Sequence, residues 1–113
     1  MRKNDQSISS YNLKPTRFTL DILELLVNQG IEGMNLKDIA EYFSLPRSTV
    51  HRYLTTLTES GWVESSGSVK AKIWKPSNHF IKLAFSYRNA VREQIETVKA
   101  EYKDLTGEDL QDV

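Results

Sequence analysis

Apolar residues recur at helical spacing in three short stretches of this chain, and immediately after Gly61 the period falls to two. Few small folds accept that order. Phe18, Ile22, Leu25 and Leu26 follow the i, i+4, i+7, i+8 spacing of a buried helical stripe, with Thr16 as the expected N-cap and Gly30 as the expected stop. The glycines at 30 and 33 mark a turn before Met34. Asn35 then offers a second N-cap with Asp38 three residues on, and Leu36, Ile39, Ala40 and Phe43 supply the inner face of a short helix. Ser44 and Leu45 form a brief connection. Pro46 is placed in the first turn of a third helix that runs to about Ser60, with Val50, Tyr53, Leu54 and Leu57 turned inward. Gly61 stops it in the position where a C-cap glycine is favoured.

Beyond that stop, Trp62 to Glu64 and Val69 to Trp74 flank a Ser-Gly-Ser turn and predict a β-hairpin closed by Pro76. Ser77 or Asn78 caps a last helix that continues to about Leu105, roughly 42 Å of helix, before Thr106 and Gly107 break it. The fold expected is mainly α with a small β-hairpin: a winged helix-turn-helix followed by a long C-terminal helix. The organisation expected is a flexible basic arm (1–15), a winged helix-turn-helix domain (16–76), a linker or dimerisation helix (77–106) and an acidic tail (107–113). Trp62, Trp74, Phe18 and Tyr53 are read as core and hinge packing rather than stacking platforms.

With 113 residues the chain has room for one small domain and an appendage, not for a barrel or a doubly wound nucleotide fold. It contains no cysteine, and its histidines, His51 and His79, are too far apart in sequence to make a zinc site alone. No apolar run approaches the ~18 residues of a membrane span, and the start, MRKNDQSISSYN, lacks the apolar centre of a signal peptide. The expected setting is cytoplasmic, at the nucleoid. No carboxylate pair, Ser-His-Asp set, glycine-rich phosphate loop or metal cluster is visible, so no catalytic residue, metal or cofactor is expected.

The net charge is zero, which by itself speaks weakly against nucleic acid. The distribution speaks the other way. Arg2, Lys3, Lys14 and Arg17 against Asp5 give residues 1–17 a net +3, and residues 18–45 carry −4. Arg47, Arg52, Lys70, Lys72 and Lys75 against Glu59 and Glu64 give residues 46–76 a net +3, and residues 77–113 carry −2. Charge is therefore segregated along the chain. If Val50, Tyr53, Leu54 and Leu57 face inward, the third helix presents Arg47, Ser48, His51, Arg52 and Thr55 outward, with Thr49 at the edge, a set of cations and small hydroxyls without a carboxylate. Arginine grips phosphate or reads guanine bidentately, while serine and threonine bond phosphate or base edges. Lys70 and Lys72, two apart on one expected strand face, suit phosphate, and Lys37 in the first turn of the second helix can reach the neighbouring backbone. These nine residues are the expected DNA contacts, with the third helix in the major groove and the wing, 62–75, on the backbone.

The run LDILELL, followed by LKDIAEYFSLPRSTVHRYLTTLTESGWVE, resembles the DNA-binding half of IclR-type transcriptional regulators. That family's motif L-P-[KR]-S-T-V-x-R-x-L is matched from Leu45 to Leu54, and G-[WY]-V-E follows from Gly61 to Glu64. The likeness extends over roughly residues 16–107. It implies that Arg47, Ser48, Thr49 and Arg52 contact DNA and that His51 and Thr55 vary with the target. In the family a T-G-E turn leads into an effector-binding domain; the stretch DLTGEDLQDV resembles that entry, and the expectation is a natural truncation or a fragment in which this chain binds no small-molecule effector.

In the last helix Ala84, Tyr87, Val91, Ile95, Val98, Tyr102 and Leu105 form a near-heptad stripe flanked by charged residues. Tyr87, Val91, Ile95, Val98 and Tyr102 are the expected dimerisation residues, and a homodimer would suit a pseudo-palindromic operator. The alternative to a dimeric regulator is a winged-helix assembly module of a replication, plasmid or phage complex, which zero net charge and an acidic tail leave open.

Overall fold

Eight elements follow one another in the computed structural model, which describes residues 13–111. They are helix α1 (Lys14–Gln29), strand β1 (Met34–Asn35), helix α2 (Leu36–Phe43), helix α3 (Arg47–Glu59), strand β2 (Val63–Ser66), a 3-10 turn (Val69–Ala71), strand β3 (Ile73–Pro76) and helix α4 (Asn78–Thr106). The class read from the sequence is the class observed, with one addition. The sheet has three strands, not two, in the order β1-β3-β2 and antiparallel throughout. Met34 pairs with Trp74 and Asn35 with Ile73, while Val63 to Ser66 pair with Pro76 to Ile73. The basic residues Arg2 and Lys3 lie outside the described residues.

Side chains from every layer of the body meet in one core. Ile22 and Leu26 of α1, Ile39 and Ala40 of α2, Val50, Leu54 and Leu57 of α3, Val63 of β2 and Trp74 of β3 are buried. Removing each large aliphatic from water contributes about 1.5–3 kcal/mol, which outweighs the modest helix propensities of segments this short. Phe18 stacks on Tyr53 with ring centroids 6.2 Å apart and meets Phe43 edge-on at 5.9 Å, closing the end of the core between α1, α2 and α3.

The termini of the helices fix their directions. Helix α1 begins at Lys14, so Thr16 lies inside it and does not cap it; Leu13 occupies the cap position and no side chain bonds the first amides. Pro15 accounts for the earlier start, because its fixed φ suits the first helical turn and it has no amide to satisfy. In α2 the Asp38 amide donates to Asn35 Oδ1 at 2.8 Å, the cap expected from the sequence. That helix ends on Ser44 in the left-handed region (φ 55), which lets the Leu45 amide donate back to the Ala40 carbonyl at 3.0 Å. Three residues thus suffice to turn the chain from α2 into α3. Pro46 stands just outside α3 rather than within it: its backbone is extended (φ −62, ψ 146) and its carbonyl accepts from the Thr49 and Val50 amides. Gly61 (φ 86) ends α3, with the Trp62 amide donating to the Leu57 carbonyl at 3.0 Å.

The described residues divide after Phe80 into two compact units. In the first, the start of α4 is tied down by Ser77. This buried hydroxyl donates to the Gly61 carbonyl at 2.6 Å and accepts from the Phe80 amide at 3.0 Å. The Ser77 amide in turn donates to the Trp62 carbonyl, and the Trp62 ring packs against Phe80 at 6.0 Å and His79 at 5.8 Å. In the second unit α4 carries its apolar stripe on an exposed surface: Tyr87, Val91, Ile95 and Val98 are all exposed and Tyr102 is half-buried.

Candidate nucleic-acid interface

Helix α3 buries Val50, Leu54 and Leu57 and leaves the opposite side open. Arg47, Ser48, His51, Arg52 and Thr55 are exposed, Thr49 is half-buried, and Lys37 at the start of α2 is exposed. Pro46 brings no side-chain acceptor to the α3 N-terminus; its carbonyl takes the Thr49 and Val50 amides, and no side chain caps those of Arg47 and Ser48.

The sequence-predicted residues do not form one patch. Seven of the nine divide between two depressions, and Ser48 and Thr49, at the start of α3, line neither. One, of about 620 Å³, lies between α3 and the wing and is lined by Lys37, Arg47, His51, Lys70, Lys72 and Trp74, among others. Among the described residues no carboxylate lines it. The other, of about 580 Å³, lies between α3 and the start of α1 and is lined by Pro15, Thr16, Leu20, Arg52, Tyr53 and Thr55, among others. Arg52 also stands over the edge of its neighbour Tyr53, 5.9 Å from the ring centroid.

The geometry of the wing corrects one expectation. Lys70 and Lys72 do not share a strand face: Lys70 lies in the 3-10 turn and Lys72 follows it, before β3 begins. Ser68 causes this, since its hydroxyl accepts from the Ala71 amide at 3.2 Å and folds the chain into a turn where strand was expected. Gly67 makes the tight approach possible: its φ is +93, and a Cβ there would stand 2.4 Å from the Ala71 carbonyl oxygen. The two lysines still reach the same groove, Lys72 with its ammonium 5.9 Å from the centroid of the Trp74 ring. His51 meets the same ring edge-on at 6.3 Å. Trp74 is therefore a packing bridge between α3 and the wing, in keeping with its reading as core and hinge packing. Val69, 90% exposed at the wing turn, was likewise not singled out by sequence.

Among the described residues no group of three or more His, Asp or Glu side chains is placed to hold a metal ion. No helix among them is long and apolar enough to cross a membrane.

Three short helices around one core, a tight turn into an exposed third helix and an antiparallel wing define a winged helix-turn-helix protein. Comparison with known proteins narrows that class. Residues 19–67 match the model of the IclR helix-turn-helix domain. The chain is 33% identical over 89 residues to the HTH-type transcriptional regulator BhcR of Paracoccus denitrificans (strain Pd 1222), a stretch that is 79% of this chain and 31% of that regulator. It thus spans about a third of the length of that relative. Two solved structures of Lactococcus lactis ZitR variants share the fold. One superposes with a TM-score of 0.52 at 19% identity over 88% of this chain and 75% of that one. The other gives 0.51 at 21% identity over 83% and 64%. Residues 19–67 therefore carry an IclR-type helix-turn-helix domain, the DNA-binding domain of a family of transcriptional regulators.

Proposed function

We propose that this chain binds double-stranded DNA in a sequence-dependent way as a homodimeric transcriptional regulator of the cytoplasm. Residues 16–76 act as the DNA-binding domain, α3 enters the major groove, and the wing lies along the backbone. The observation that carries this reading is the convergence of Lys37, Arg47, His51, Lys70 and Lys72 on one groove free of carboxylates, beside the exposed face of α3. The four cations suit phosphate, and Ser48, Thr49, His51, Arg52 and Thr55 suit base edges and the flanking backbone.

Dimerisation is supported by α4, whose Tyr87, Val91, Ile95 and Val98 form an exposed apolar stripe at near-heptad spacing, continued by Tyr102. Two copies paired there would present two α3 helices to a pseudo-palindromic site.

Titration of a random-sequence duplex at 50 and at 200 mM salt tests the reading. With three to five phosphates neutralised per copy, affinity should fall on the order of 10³-fold or more over that range. Absence of any duplex binding at 50 mM, with self-association retained, would overturn it in favour of a winged-helix assembly module. Replacing Arg52 by alanine should weaken binding; unchanged affinity would remove that arginine from the interface.

A further inference from the structure

Hydroxyls on a recognition helix are ordinarily read as hydrogen-bond donors to phosphate or bases. On α3 they divide into two groups. Ser48 and Thr49, in the first turn, make no side-chain hydrogen bond among the described residues. Thr55 is different: its Oγ1 donates to the His51 carbonyl at 2.9 Å, and next to it Thr56 Oγ1 donates to the Arg52 carbonyl at 3.2 Å. A hydrogen already engaged inside the helix is not offered to an acceptor outside it. With the hydroxyl hydrogen engaged by the preceding turn, Thr55 has its γ-methyl and the acceptor side of its oxygen left to meet an outside group.

The setting of that methyl matters. Thr55 is exposed and lies one turn beyond His51 and two beyond Ser48, on the ridge that faces away from the core. It borders the depression that Leu20, Pro15 and Tyr53 line together with Arg52, whereas four cations, Lys37, Arg47, Lys70 and Lys72, line the other flank. In the major groove the one apolar group on a base edge is the 5-methyl of thymine.

We infer that Thr55 is a specificity-determining residue that selects thymine through contact between its γ-methyl and the thymine 5-methyl. This rests on the proposed placement of α3 in the major groove. It divides the helix into a hydrogen-bonding first turn and a methyl-reading third turn.

The test uses the full chain and the tightest duplex recovered from a random pool, with each thymine of a half-site replaced in turn by uracil, which lacks only the methyl. At one position the unmodified protein should lose affinity by about fourfold, the worth of one methyl group withdrawn from water. Thr55→Val, which keeps a methyl and loses the hydroxyl, should retain that discrimination. Thr55→Ser, which keeps the hydroxyl and loses the methyl, should bind the thymine and uracil duplexes equally. Indifference of the unmodified protein to uracil at every position, or undiminished discrimination by Thr55→Ser, overturns the inference while leaving salt-dependent DNA binding intact. Failure to bind any duplex overturns the proposed function as well as the inference built on it.

Discussion

Replacing Lys70 and Lys72 together by glutamine isolates the contribution of the wing. Four cations line the groove between α3 and the wing, namely Lys37, Arg47, Lys70 and Lys72. If each meets one phosphate, a dimer neutralises about eight, and log K falls with log salt at a slope of about −7. Between 50 and 200 mM that is roughly four decades of affinity. The double variant keeps half of those contacts, so its slope should be about −3.6 and its loss over the same range about two decades. The fold itself should tolerate the change. Lys70 is exposed, and Lys72 contributes only a cation–π contact with Trp74 at 5.9 Å, worth about 0.5 kcal/mol at an accessible site. Fluorescence anisotropy of a labelled duplex at five or more salt concentrations gives both slopes directly. Identical slopes for the two proteins, with unchanged melting temperatures, would refute the placement of the wing on the backbone.

Other perturbations address the body, the junction and the last helix. Leu54→Ala removes a fully buried side chain from the inner face of α3 and should cost about 2–5 kcal/mol in chemical denaturation; a loss below 1 kcal/mol would show that Leu54 is not a core residue. Ser77→Ala deletes the bond to the Gly61 carbonyl and the acceptor for the Phe80 amide, and should lower stability by about 1–2 kcal/mol. If thermal unfolding of that variant matched the unmodified chain, the tie at the start of α4 would have no energetic weight. Val91→Asp combined with Val98→Asp places carboxylates on the apolar stripe of α4 and should give monomers in sedimentation velocity, with the helical signal retained. A sedimentation coefficient that stayed that of a dimer would exclude this face as the pairing surface.

Most of the fold was legible because its determinants are local. The spacing of Ile22 with Leu26, of Ile39 with Ala40, and of Val50, Leu54 and Leu57 states which face of each helix is buried. Asn35 and Gly61 mark termini through chemistry that depends only on near neighbours. What escaped was non-local or too short to be periodic. Strand β1 is two residues long, and only pairing with β3 makes it a strand. The turn at Val69–Ala71 arises from one Ser68 hydroxyl competing with a strand ladder, and the alternating lysines of that segment mimic a strand that does not form there. The exposed residues of α3 could be named from the inward stripe, but their division between two flanks depends on where the wing and the start of α1 lie against α3. The state of the Thr55 hydroxyl could have been suspected from its place four residues after His51, since a helical threonine often bonds that carbonyl.

In the proposed function, the side of α3 turned away from the core meets the double helix. Backbone amide shifts of the isotopically labelled chain, followed by NMR during titration with a duplex selected from a random pool, test it most directly. The largest shifts should fall on Arg47 to Thr55, with a second group at Val69 to Lys72. Shifts concentrated on α4 or on the far side of α1, with the α3 amides unmoved at saturation, would contradict it.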